Sequence, residues 1–141
     1  LVDDGASALR YAGFMLDYTR QRAIEVLKAV RKVVIATGGP AGLQASEVAC
    51  QAVGLTLYLL IPQTSDHLYN LEHQSGVSLL ADAWSLKGEA RLVSPSGLDL
   101  ELLSTPGAEW CRLVRVDPYR VEIRRPSGWG NLETFDLTAT G

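Results

Sequence analysis

"VVIATGGPAGLQASEVACQAVGLTLYLLIP", residues 33–62, decides the fold. VVIAT is a β-branched run of strand type and GGPAG is turn chemistry. LQASEVACQAV alternates as a half-buried strand does, and Gly54 makes a second turn into LTLYLLIP. The stretch therefore predicts a three-strand antiparallel meander. Its glycines do not make a phosphate loop, because the G-x-G-x-x-G spacing is absent, no Lys-Ser/Thr pair follows, and the next segment is a strand.

Upstream, DYTRQRAIEVLKAVRK (17–32) places Ala23, Ile24, Leu27 and Val30 on one helical stripe, with Arg20, Arg22, Glu25, Lys28 and Arg31 mostly off it. Residues 1–16 keep no lasting period and are expected to form an arm, leaving 17–141 as a single domain. Downstream, SDHLYNLEHQ predicts a short helix with Leu68 and Leu71 facing inward, closed by Gly76. VSLLAD and KGEARLVS are further strands, and Gly88 marks a bulge or a close backbone approach. A connector with one helical turn, SPSGLDLELLSTPG, leads to three last strands at Trp110–Val116, Tyr119–Arg124 and Leu132–Leu137. The expectation is a mainly β fold: a six- or seven-stranded antiparallel split barrel with an N-terminal helix and short helices.

Composition narrows the function classes. The 141 residues are 47% hydrophobic, enough for one core. The net charge of −3 disfavours a nucleic-acid surface, which needs clustered Lys and Arg. The longest apolar run, Leu55 to Pro62, is far short of the roughly 20 residues of a membrane helix, and no signal core is visible, so a cytoplasmic protein with no membrane partner is expected. Cys50 and Cys111 match no metal spacing and read as buried free thiols. Six of the 13 basic residues lie at or before Lys32 and seven at or after Lys87, so residues 33–86 contain no Lys or Arg.

Taken in order, these pieces resemble the FMN-binding split barrels related to pyridoxamine 5'-phosphate oxidase. The similar features are the helix into VVIATGGPAGLQASEV, the strand into TSDHLYNL, SGVSLLAD, and KGEARLV. The resemblance covers Arg20 to Leu137. It implies a homodimer, with FMN held in clefts between subunits and oxidoreductase activity on a small molecule. It also implies cofactor contacts at Gln44, Ser46, Val48, Leu60, Ile61, Thr64, Ser65 and His67. Related branches bind haem or a deazaflavin, and others have no known activity, which leaves a non-enzymatic sensor or carrier of another planar ligand as the alternative.

The chain departs from that pattern where the phosphate is met. The positions of two usual cations read Leu43 or Gln44, and His67. At about 1.5 to 3 kcal/mol per hydrogen bond to a charged group, losing both costs roughly 3 to 6 kcal/mol. The junction reads as a weakened phosphate site, in which His67 contributes charge only when protonated, so FMN is expected to bind more tightly toward pH 6. Asp66, in the first helical turn, repels a phosphate, and Ser65 and Asp66 also suit plain helix capping.

Other groups carry less. His67 and His73 do not share a helix face and lack a third ligand, so no metal is expected. Ser65-Asp66-His67 resembles a triad only in letters. Trp84, Trp110 and Trp129 suit a core or interface, with Trp129 the candidate for an exposed stacking ring. No catalytic acid or base is assignable.

Overall fold

A computed structural model describes residues 18–124 and 132–137. The expected arm, 1–16, and Trp129 lie outside the described residues. Helix α1 is described over 18–28. Strands β1 (Lys32–Thr37), β2 (Gln44–Val53) and β3 (Thr56–Pro62) form the expected meander, followed by helix α2 (Asp66–His73). β4 (Gly76–Leu80) and β5 (Trp84–Leu92) come next, then a connector with short 3-10 turns at Glu101–Ser104 and Ala108–Trp110, and finally β6 (Cys111–Arg124) and β7 (Leu132–Asp136).

The sheet order is β3-β2-β1-β4-β5-β6-β7, and an additional β3–β6 pairing closes six strands into an antiparallel barrel with β7 on its flank. β6 makes this possible through its length. Its first half pairs with β3 (Leu57↔Val116 to Pro62↔Cys111), its second half with β7, and β5 runs along both. Two strands were expected where β6 is one. Pro118 does not end it: the β5–β6 register shifts between Lys87 and Gly88, opposite Pro118, and irregular ladder positions of this kind are where a strand tolerates proline. Gly88 provides the close approach, since a Cβ there would lie 2.6 Å from the Asp117 carbonyl oxygen; it lies opposite the bulge, whose extra residue is Tyr119 of β6.

Alternation sorts the strands into an inside and an outside. Val33, Ile35, Val48, Cys50, Leu57, Leu59, Ile61, Val77, Leu79, Trp84, Leu86, Val114, Val116, Val121 and Ile123 fill the barrel, with Ala23 and Leu27 of α1 packed against them. On the outside, Tyr58, Leu60 and Leu113 are covered by Leu100 and Leu102 from the connector. Gln51 fixes that connector by accepting the Leu102 amide at 2.9 Å. Among the described residues, no helix is long and apolar enough to cross a membrane.

Candidate functional site

The β1–β2 hairpin and α2 meet at one end of the barrel, and the groups that join them are polar. Ser65 caps α2, its Oγ accepting the His67 amide at 3.1 Å. The helix then turns His67 and Asn70 inward, so these are its buried side chains, while Leu68 and Leu71 pack half-buried at its edges. The expected apolar face is thus a polar one, because the hairpin end offers hydrogen-bond partners. His67 Nδ1 lies 2.8 Å from Thr37 Oγ1, and Nε2 lies 2.6 Å from Ser46 Oγ. Asn70 Nδ2 donates to Thr37 Oγ1 at 3.1 Å and to the Gly42 carbonyl at 2.9 Å, while its Oδ1 accepts the Ala41 amide at 2.9 Å. Gly39, at φ +152°, lets the turn come this close, since a Cβ would sit 2.9 Å from Asn70 Oδ1.

Electrostatics follow from burial. His67 is 3% exposed, and desolvation pushes its pKa below the ordinary value, with Asp66 pulling weakly the other way. The direction runs against the expectation that His67 gains charge toward pH 6: burial favours the uncharged ring, and both ring nitrogens have hydrogen-bond partners. Ser65 Oγ is spent on the cap, and Thr64 and Asp66 are exposed. The 64–67 junction, as built, does not fit a phosphate.

The cofactor contacts implied by the sequence are not gathered on one surface of a single chain. Gln44 lines an open groove of about 530 Å³ with Ala36, Ser78, Lys87 and Tyr119. Ser46 is exposed beside His67. The side chains of Val48 and Ile61 lie in the barrel core, and Leu60 lies on the opposite face of β3, under the connector. There Leu60 borders a second groove of about 470 Å³ with Leu92, Val93, Leu103, Leu113 and Arg112, both grooves falling in the range of about 300 to 1,000 Å³ usual for ligand pockets.

Arg112 is the residue that spacing alone did not single out from the other late-strand arginines. Arg115 pairs with Asp117 and Arg120 with Glu122, whereas Arg91 and Arg112 are exposed with no side-chain partner among the described residues, and of these Arg112 stands beside Ile61 on the strand next to the junction. Trp110, two residues earlier, is 71% exposed, while Trp84 is in the core. Cys50 is buried with its pKa raised to about 11 by desolvation; burial and Glu109 raise that of Cys111. Among the described residues, no group of three or more His, Cys, Asp or Glu could hold a metal ion.

A six-stranded barrel closed through β3–β6, with a helix clasped to its first hairpin, is the split-barrel architecture. No protein-family model and no curated protein matches the sequence. Solved structures do match. A protein related to general stress protein 26 of B. subtilis (pyridoxinephosphate oxidase family), from Clostridium acetobutylicum, is similar at TM-score 0.63 and 15% identity, covering 88% of this chain and 95% of that one. General stress protein 26 from Bacillus anthracis is similar at TM-score 0.63 and 14% identity, over 82% of this chain and 97% of that one. A heme binding protein from Mycobacterium smegmatis is similar at TM-score 0.57 and 18% identity, over 84% of this chain and 57% of that one. The chain has the fold of the pyridoxamine 5'-phosphate oxidase-like split barrels.

Proposed function

We propose that the protein is a dimeric flavin-binding split barrel of the oxidoreductase type, acting on a small molecule, with FMN as its ligand and the phosphate met by Arg112 instead of the 64–67 junction. The exposed guanidinium beside Ile61, without a partner among the described residues and at the edge of an apolar groove, is the observation that carries this reading. Both grooves are open on one side, which suits halves of a cleft completed by a second copy, and Leu43 (93% exposed) and Leu80 (49%) leave apolar surface for that copy. The chain itself would supply orientation and hydrogen bonds. No proton-transfer residue is assigned.

A second reading is favoured by the neutral junction: a non-enzymatic carrier or sensor of a planar ligand whose charge is not read there, such as haem or a deazaflavin. The similarity to the Mycobacterium smegmatis protein, a heme binding protein by its name, points the same way.

Titration of the purified protein with FMN, riboflavin and haemin, followed by flavin fluorescence and the Soret band, separates the two. The flavin reading expects FMN to bind more tightly than riboflavin, and Arg112→Gln to remove the difference. Equal binding of FMN and riboflavin refutes the Arg112 contact. A Soret band without flavin binding establishes the second reading, and no binding of any of the three refutes both. Sedimentation as a compact monomer at micromolar concentration would remove the two-chain cleft.

A further inference from the structure

The outer face of β1, β4 and β5 carries a groove that the clasp does not use. Register places Ala45, Ala36, Ser78, Lys87 and Arg120 in one row across β2, β1, β4, β5 and β6. The neighbouring Ile35, Val77, Leu79 and Leu86 fill the barrel, so by alternation this row faces outward. Ala45, Ala36 and Ser78 are small, and over them lies the open groove of about 530 Å³, which reaches Lys87. A smaller hollow of about 110 Å³ shares Ser78 and Lys87 and continues toward Arg120.

Charge and a bulge give this groove its chemistry. Lys87 is the first Lys or Arg after Lys32. It stands directly opposite Arg120, and like charges so placed across a ladder cost stability. Glu122 pairs with Arg120, Asp117 with Arg115, and Glu89 meets Ser75, so the acids nearest on these strands are engaged. Lys87 has no partner among the described residues, and none of the described residues lining the groove is an acid. The bulge adds a ring. Lys87 pairs with Arg120 and Gly88 with Pro118, which leaves Tyr119 as the residue that β5 skips. Released from the alternation of that ladder, Tyr119 lines the groove together with Lys87.

The geometry points to a binding site for a small planar organic anion, with its carboxylate or similar charged group on Lys87 and its ring laid over Ala36 and Ser78 against Tyr119. The ammonium answers one negative charge, the Ser78 hydroxyl offers a hydrogen bond on the adjacent strand, and Tyr119 offers an aromatic surface. Arg120, held by Glu122, does not add a second free charge. Neither Lys87 nor Tyr119 is among the contacts that the family resemblance implies; Gln44 at the rim is, and the assignment does not use it. The groove shares no residue with the one at Arg112, so the site stands whether or not a flavin binds.

A fluorescent planar carboxylate, naphthoate, and its neutral isostere naphthamide test the site by titration into the protein at pH 7. Naphthoate is expected to bind about five- to fiftyfold more tightly, the span between an exposed ion pair and a charge-assisted hydrogen bond. Lys87→Gln should remove that preference while leaving naphthamide within about twofold, and Lys87→Arg should keep it. Tyr119→Ala should weaken both ligands about two- to tenfold. In a proton–nitrogen NMR titration the shifted amides should centre on Ala36, Ala45 and Ser78. Lys87→Gln relieves the like-charge pair, so its urea midpoint should be unchanged or raised, and a lost preference is then read on folded protein. Equal affinity for the two ligands in the wild type overturns the site, as does a preference that survives Lys87→Gln. Shifts centred on Arg112 and Leu113, or failure of both ligands to bind at millimolar concentration, overturn it equally.

Discussion

Replacing Asn70 with alanine tests the clasp at its most connected point. The side chain makes three hydrogen bonds, to Ala41 N, Gly42 O and Thr37 Oγ1, at 2.9, 2.9 and 3.1 Å, and is completely buried. At about 1 kcal/mol net for each, the bonds sum to roughly 3 kcal/mol. Two corrections act on that sum. Ala41 and Gly42 are partly or fully exposed, so water can replace their partner and reduce the loss. Thr37 is not exposed, and the space vacated by the amide adds a cavity cost. The balance is an expected destabilisation of about 2 to 4 kcal/mol, a large share of the roughly 5 to 15 kcal/mol that holds a domain together. Urea unfolding followed by tryptophan fluorescence measures it, read as a lowered midpoint at unchanged slope. Amide exchange at Ala41 should accelerate by more than at Val48. A loss under about 0.5 kcal/mol would refute the claim that α2 is held to the hairpin by this residue.

Further outcomes follow from other packed groups. Gly88→Ala places a methyl against the Asp117 carbonyl and Pro118 Cα, backbone that cannot swing aside, and should cost about 1 to 3 kcal/mol or more by the same unfolding assay. Leu102→Ala opens the outer cluster over Tyr58 and Leu60 and should cost about 2 to 5 kcal/mol, with faster amide exchange confined first to the connector. Cys50, at a pKa of about 11 inside the barrel, should react with a thiol reagent at pH 8 only on unfolding, which a rate independent of denaturant would contradict. Burial lowers the folded pKa of His67 below its ordinary value of 6.5, so the unfolded chain takes up the proton first. The clasp's contribution is then complete above that value and is lost as pH falls through the lowered one, by at most about 1.4 kcal/mol per pH unit. Unfolding midpoints at pH 8, 6 and 5 should fall in that order, and less steeply in His67→Gln.

The barrel was legible because its signals are local and period-two. The turn at GGPAG and the turn at Gly54 each declare themselves within a few residues, and the β1–β2 and β2–β3 pairings form the expected meander. Gly88 was legible for the same reason. Less so was β6, because Pro118 ordinarily argues against a strand interior and its tolerance goes with a register shift against another strand, at Lys87/Gly88. The inward face of α2 was legible in part: Leu68 and Leu71 do pack against the core, but only the position of Thr37 and Ser46, at separations of 30 and 21 residues from His67, makes His67 and Asn70 the fully buried pair. The Ser65-Asp66-His67 string hid the relevant serine in the same way. It is Ser46 that meets the imidazole.

The charge distribution connects these observations to ligand choice. Residues 33–86 carry four acids and no Lys or Arg, yet they supply the hairpin, α2 and every partner in the clasp. Around His67 the groups are hydroxyls, an amide and backbone, with Asp66 the charged neighbour that acts on it. A dianion placed there would find a carboxylate in the first turn of α2 and an imidazole whose charged form burial disfavours. Neutral groups face none of these costs, because the clasp is built of hydroxyls, an amide and an imidazole. If an anionic group is bound as well, its partner must come from outside the clasp. Arg112, one strand away and unpaired, is the described residue beside the junction that can answer it, so the neutral and charged ends of a ligand would be read by two parts of the chain that meet only because β3 pairs with β6.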